Sequence, residues 1–157
     1  MAQSRITTCL WFDREAEAAA ELYVSLIPNS RIVSISRYGP GQNMPEGLAL
    51  VVALELDGQR FQFLNGGPMF PQTEAASISV ACDTQAEIDR LWAALTADGG
   101  RESMCGWLKD RYHVSWQIVP SQLNALMAGP AAGRVAQAFM QMRKFDIAAL
   151  EAAAKGG

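Results

Sequence analysis

Apolar and polar positions along the chain fall into two runs of the same order. Ile6–Phe12, rich in Thr, Ile, Trp and Phe, reads as a strand. A helix follows from Asp13, with Glu15 and Glu17 in its first turn and Pro28 as its stop. Its stripe is Ala16, Ala19, Ala20, Tyr23, Leu26 and Ile27, the spacing of one helical face. Three strand-like runs come next: Arg31–Tyr38, Leu48–Leu56 and Arg60–Leu64. The second of these puts Leu48, Leu50, Val52, Leu54 and Leu56 on one face, and an Asp57-Gly58 turn joins it to the third. The pattern then restarts. Ser77–Cys82 is a strand with Ile78 and Val80 on one face, and Asp83 opens a helix in which Thr84 and Glu87 have capping-box spacing. Ile88, Leu91, Trp92 and Leu95 form its stripe, and Gly99-Gly100 ends it. Arg101–Ser103, Met104–Lys109 and Val114–Val119 predict three further strands.

Asp13, Ala16 and Glu17 match Asp83, Ala86 and Glu87 at the same strand-to-helix junction of each run. The expectation is an α+β fold in which two βαβββ modules, residues 6–67 and 76–120, form one cup-shaped mixed sheet with helices outside. Residues 121–157 read as a helical extension, and the whole of 1–157 as a single domain. In the extension, Leu123, Leu126 and Met127 mark a short helix stopped near Gly129-Pro130, and Val135, Ala138, Phe139 and Met142 a longer one. Asp146 caps a last segment carrying Ile147 and Leu150. Met127, Met140 and Met142 read as core or interface packing residues.

Composition narrows the chemistry. With 157 residues, half of them apolar and 18% charged, the chain builds a core without disulfides or metal. A net charge of −3 without basic runs gives no footprint for nucleic acid. The start of the chain shows no secretion signal, and the longest apolar stretch, near Leu48–Leu54, is too short for a membrane span. Three cysteines without C-x-x-C spacing point to a reduced, cytoplasmic protein. A single histidine excludes, within one chain, a two-His-one-carboxylate iron site, a three-His zinc site and a Cys2His2 site. Cys9 and Cys82 read as small buried hydrophobes. Cys105, beside Gly106 and near Lys109 and His113, is the one nucleophile candidate, with close strand packing at the glycine as the alternative. Gly39-Pro40-Gly41, Gly66-Gly67 and Gly99-Gly100 complete neither the glycine loop of an S-adenosylmethionine site nor a phosphate loop. Strands in hairpin runs also exclude a Rossmann-type methyltransferase.

Several longer motifs carry a resemblance. Leu10-Trp11-Phe12-Asp13 running into Glu15-Ala16-Glu17-Ala18-Ala19, Arg37-Tyr38-Gly39-Pro40-Gly41 and Leu64-Asn65-Gly66-Gly67-Pro68 resemble the PhnB-like family. So do Cys105-Gly106-Trp107-Leu108-Lys109-Asp110, Val114 through Pro120 and Gln141 through Ile147, so the likeness covers nearly the whole chain. It implies the vicinal-oxygen-chelate superfamily, with glyoxalase I, extradiol dioxygenases and bleomycin- and fosfomycin-resistance proteins. Paired βαβββ modules and a homodimer, helped by the helical extension, follow from it. Many such sequences carry the label 3-demethylubiquinone-9 3-methyltransferase.

The resemblance places the superfamily's metal ligands near Ile6, near Phe61 or Gln62, at Ser77 and at Gln117. These side chains are poor donors for a divalent cation, so no metal and no cofactor is expected. Glu74 matches the family's acidic position before the fifth strand, facing either a ligand or solvent. His113 stands where the family carries glycine, and reads as a turn residue or as a proton carrier. Arg14 likewise replaces a glycine.

What remains is a concave face lined by Leu10, Phe12, Phe61, Phe63, Asn65, Ser77, Ser79, Ser115 and Gln117, suited to a small organic ligand. A binding protein is thus the first functional expectation. The alternatives are an enzyme, either the methyltransferase of the label or a lyase or isomerase using Cys105 or Glu74, and a scaffold whose cup is filled by side chains.

Overall fold

The computed structural model describes residues 5–156, so the stretch before Arg5 that was read for a secretion signal lies outside the described residues. The chain divides into two units, one ending at Gln72 and the other beginning at Thr73. In the first, β1 (Thr8–Phe12), α1 (Ala16–Leu26), β2 (Arg31–Arg37), β3 (Ala49–Leu56) and β4 (Gln59–Asn65) build a four-stranded sheet ordered β1-β4-β3-β2. In the second, β5 (Ile78–Cys82), α2 (Gln85–Thr96), β6 (Arg101–Glu102), β7 (Trp107–Lys109) and β8 (Ser115–Pro120) repeat that plan as β5-β8-β7-β6. Helices α3 (Leu123–Ala128), α4 (Ala132–Phe139) and α5 (Ile147–Lys155) follow. In each sheet the first and last strands of the module pair in parallel and the other pairs are antiparallel. The fold is α+β, with both expected βαβββ runs present.

In the first unit, Val52, Leu54 and Leu56 alternate inward along β3 beside Phe61 and Phe63 of β4. They pack on the Ala16, Ala19, Ala20 and Tyr23 stripe of α1, where three alanines let the helix come close to the sheet. The Phe63 ring meets Phe12 at 5.0 Å and Tyr23 at 5.7 Å. Asp57 and Gly58 both take positive φ, as the hairpin reading requires. Asp13 does not open the helix, however. Glu15 occupies the cap position without a side-chain bond, and the Ala16 N–H is instead taken by the Asn65 Oδ1 at 2.9 Å. A residue 49 positions away thus does the work of a local cap.

In the second unit, the Thr84 Oγ1 accepts the Glu87 N–H at 3.2 Å, and the Glu87 carboxylate accepts the Asp83 N–H at 3.1 Å. That is the expected capping box, with its return bond one residue early. Ile88, Leu91, Trp92 and Leu95 are buried, as are Leu108, Trp116 and Ile118 of the sheet. In the tail, Asp146 caps α5 through the Ala149 N–H at 3.0 Å. Met142 lies beyond the end of α4, and Met140 is 60% exposed in the single chain, outside its core.

The strand expected from Met104 begins only at Trp107. Cys105 and Gly106 sit at φ 57° and 79°, and their N–H groups donate to the Met142 and Arg143 carbonyls, each at 2.8 Å. The C-terminal segment takes the bonds that a strand neighbour would have taken. A Cβ on Gly106 would lie 2.4 Å from the Phe145 ring and 2.7 Å from the Ile118 carbonyl oxygen. We therefore expect Gly106→Ala to cost about 2–4 kcal/mol, through the left-handed backbone and the clash together. Gly133→Ala, where a Cβ meets nothing within 4 Å, is the control and should change little. Urea unfolding of the two variants checks this.

Candidate functional site

Strand parity decides which side chains face a ligand. On β8, Trp116 and Ile118 are fully buried and share a face with Leu108, their neighbour on β7. Ser115, Gln117 and Val119 therefore lie on the opposite face, together with Trp107 and Lys109 of β7, Arg101 of β6 and Ser79 and Ala81 of β5. Two cavities open on this face. One, of about 460 Å³, is lined by Glu74, Arg101, Ser103, Trp107, Lys109 and Ser115, among others. The other, of about 450 Å³, is lined by Ser79, Cys105, Trp107, Gln117, Leu123 and Phe139, among others. Trp107 borders both.

The polar groups here are held in different ways. Gln117 donates to the Ser77 Oγ at 2.9 Å. Lys109 Nζ lies 2.7 Å from a Glu74 carboxylate oxygen, and this contact holds the Glu74 carboxyl below its usual range. Ser115 is buried, yet its hydroxyl has no hydrogen-bond partner. The Cys105 thiol contacts the Phe139 carbonyl oxygen at 3.7 Å. His113 takes φ 65° and its N–H donates to the Asp110 carbonyl at 2.9 Å, which is the turn reading. It sits past the far end of β7 from Cys105, more than about 10 Å of strand away. The structure does not bring Cys105 and His113 together.

Of the expected lining residues, Ser77, Ser79, Ser115 and Gln117 share this face, with Glu74 beside it and Cys105 at its edge. Leu10, Phe12, Phe61, Phe63 and Asn65 are not among the residues that line these two cavities. They share the face of the first sheet that packs on α1, where all but Leu10 are buried. Asn65 is wholly buried and bonded within its own unit: it accepts from Ala16, donates to the Ala49 carbonyl at 2.9 Å, and its own carbonyl accepts the Tyr38 hydroxyl at 2.6 Å. The other face of that sheet carries Cys9, Trp11, Gln62 and Leu64, so Cys9 is exposed rather than buried. Cys82 is buried, and burial pushes its thiol up to about 12.

Sequence reasoning missed Trp107, Lys109 and Arg101 as site residues. The signal was available, since Trp107 and Lys109 flank the apolar Leu108 and alternation alone turns them away from the core. It also missed Asp110 as the anchor of the β7–β8 hairpin. Buried there, Asp110 accepts the Tyr112 and Val114 N–H groups at 2.8 and 3.1 Å and the Trp116 indole at 2.9 Å.

The positions that the superfamily uses for a divalent metal do not fit one here. Ile6 is an exposed hydrocarbon, Phe61 is buried beneath α1, Gln62, its alternative, and Gln117 offer only neutral amide oxygens, and the Ser77 hydroxyl accepts from Gln117. Among the described residues, no group of three or more His, Cys, Asp or Glu side chains is placed to hold a metal ion. Nor, among them, is any helix long and apolar enough to cross a membrane.

Paired βαβββ modules with this strand order define the architecture of the glyoxalase and bleomycin-resistance class. The family described as 3-demethylubiquinone-9 3-methyltransferase matches residues 4–119. The PhnB protein from Bacillus cereus, which carries the same methyltransferase label, is 37% identical, with a TM-score of 0.70 over 74% of this chain and 99% of its own. The chain belongs to this PhnB-like family. More distant structures share the fold. A Pseudomonas aeruginosa protein is 22% identical with a TM-score of 0.59, over 73% of this chain and 95% of its own. The genomically encoded fosfomycin resistance protein from Listeria monocytogenes is 14% identical with a TM-score of 0.56, over 80% of this chain and 97% of its own. No functionally curated protein matches the sequence.

Proposed function

We propose that this PhnB-like protein binds a small organic molecule on the open face of its second sheet, without a divalent metal. The observation that supports this is the pair of cavities meeting at Trp107, each of a size that holds a small ligand. An indole wall, with Ser79 and Gln117 in one cavity and Arg101, Lys109 and Ser115 in the other, suits a ligand with an aromatic or apolar body and a polar end. The donor set at the superfamily's metal positions supports the metal-free reading. A homodimer and a cytoplasmic location belong to the same proposal and rest on the family resemblance and the composition.

Native mass spectrometry of freshly purified protein tests it. We expect a dimer carrying an organic mass, and Trp107→Ala should lose that mass while staying folded. Protein that binds no organic molecule, whether co-purified or added, contradicts the proposal.

The family label favours a second reading, methyl transfer. It predicts heat and a thermal shift on adding S-adenosylmethionine, whereas the binding reading predicts neither. A lyase or isomerase has less support. Glu74 is held ionised by Lys109, which makes it a weak base, and the contact given to the Cys105 thiol is the Phe139 carbonyl rather than His113.

A further inference from the structure

One row of side chains crosses the open face of the second sheet. Arg101 on β6 stands in register with Lys109 on β7, and Lys109 in register with Ser115 on β8. All three line the 460 Å³ cavity. Two cations directly opposite each other, with side chains rooted about 5 Å apart, repel unless an anion joins them. Two carboxylates lie nearby. Glu102 accepts the Trp92 indole at 2.7 Å and lies 3.5 Å from the Arg143 guanidinium, so it is occupied. Glu74 reaches Lys109 from a loop, with a side chain 68% exposed. The Arg101 guanidinium has no partner among the described residues, and the third member of the row, the Ser115 hydroxyl, is buried without one. A buried hydroxyl left unbonded costs stability, and a ligand oxygen in the cavity removes that cost.

Resting on the binding reading above, we propose that the Arg101–Lys109–Ser115 row takes the oxyanion headgroup of the ligand, and that Glu74 occupies this place when the ligand is absent. The headgroup, carboxylate or phosphoryl, accepts from the guanidinium, the ammonium and the hydroxyl, while the ligand body lies against Trp107. Glu74 swings out to solvent as the ligand enters, so it acts as a resident competitor and not as a catalyst.

Calorimetry with benzoate, phenyl phosphate and neutral benzyl alcohol tests this. We expect at least one of the two anions to bind tenfold or more tighter than benzyl alcohol, and the better one identifies the headgroup. Arg101→Gln should weaken that anion at least tenfold, with partial rescue in Arg101→Lys. Ser115→Ala should weaken it several-fold with Tm unchanged or higher, because the hydroxyl serves no partner in the folded chain. Glu74→Gln should tighten it several-fold. Benzyl alcohol should bind these variants alike. If benzyl alcohol binds as well as both anions and Arg101→Gln and Glu74→Gln leave every affinity unchanged, the oxyanion row is overturned and the binding reading stands. If none of the three binds and no organic molecule co-purifies, both fail.

Discussion

Asp110→Ala is expected to lower stability by about 3–5 kcal/mol, out of the roughly 5–15 kcal/mol that holds a typical domain folded. Its carboxylate is buried and accepts three N–H groups, two from its own turn and one from the Trp116 indole on β8. Bonds to an ionised acceptor contribute more than neutral ones, and truncation strands donors at Val114 and Trp116, both buried. Asp110→Asn keeps one acceptor oxygen and turns an amide N–H₂ toward the other donors, so it should cost about half as much. Urea unfolding followed by far-UV circular dichroism checks both values. Equal stability of Asp110→Ala and wild type would show that the hairpin is held by other contacts.

Asn65→Ala should cost about 2–4 kcal/mol and leave ligand affinity unchanged. Its amide satisfies the first N–H of α1 and the Ala49 carbonyl, both at wholly buried residues. A ligand-contacting Asn65 gives the opposite result, lost affinity with stability intact. Calorimetry and urea unfolding on the same variant separate the two.

Asn65 also shows where sequence reading stopped. The order of elements, the Asp57-Gly58 hairpin and the Thr84–Glu87 capping box are local, so periodicity and turn chemistry reveal them. The bond from Asn65 to the start of α1 joins residues far apart in sequence, and nothing at Asp13 announces that its capping role has been taken. Parity in the first sheet was misread for a related reason. Leu10-Trp11-Phe12 is apolar at every position and offers no alternation, and aromatic residues were assigned to a ligand wall when they fill the core under α1. Arg60-Phe61-Gln62-Phe63 does alternate, and puts both phenylalanines opposite Gln62. On β8 the alternation of Trp116 and Ile118 with Ser115 and Gln117 is clean, and there the open face was legible. The kink at Cys105-Gly106 was hidden, because it depends on Phe145 and the carbonyls of Met142 and Arg143 in the tail.

The central claim is that a small organic molecule binds the open face of the second sheet, and the four indole N–H signals of the ¹⁵N-labelled protein report on it. Three indoles are bonded within the chain: Trp11 to the Gly67 carbonyl at 2.8 Å, Trp92 to Glu102 and Trp116 to Asp110. Trp107, between the two cavities, is the fourth. Titration with benzoate, phenyl phosphate and benzyl alcohol should shift the Trp107 signal saturably and leave those of Trp11 and Trp116 in place. Saturable shifts at Trp11 with Trp107 unmoved would place the ligand on the first sheet and contradict the account.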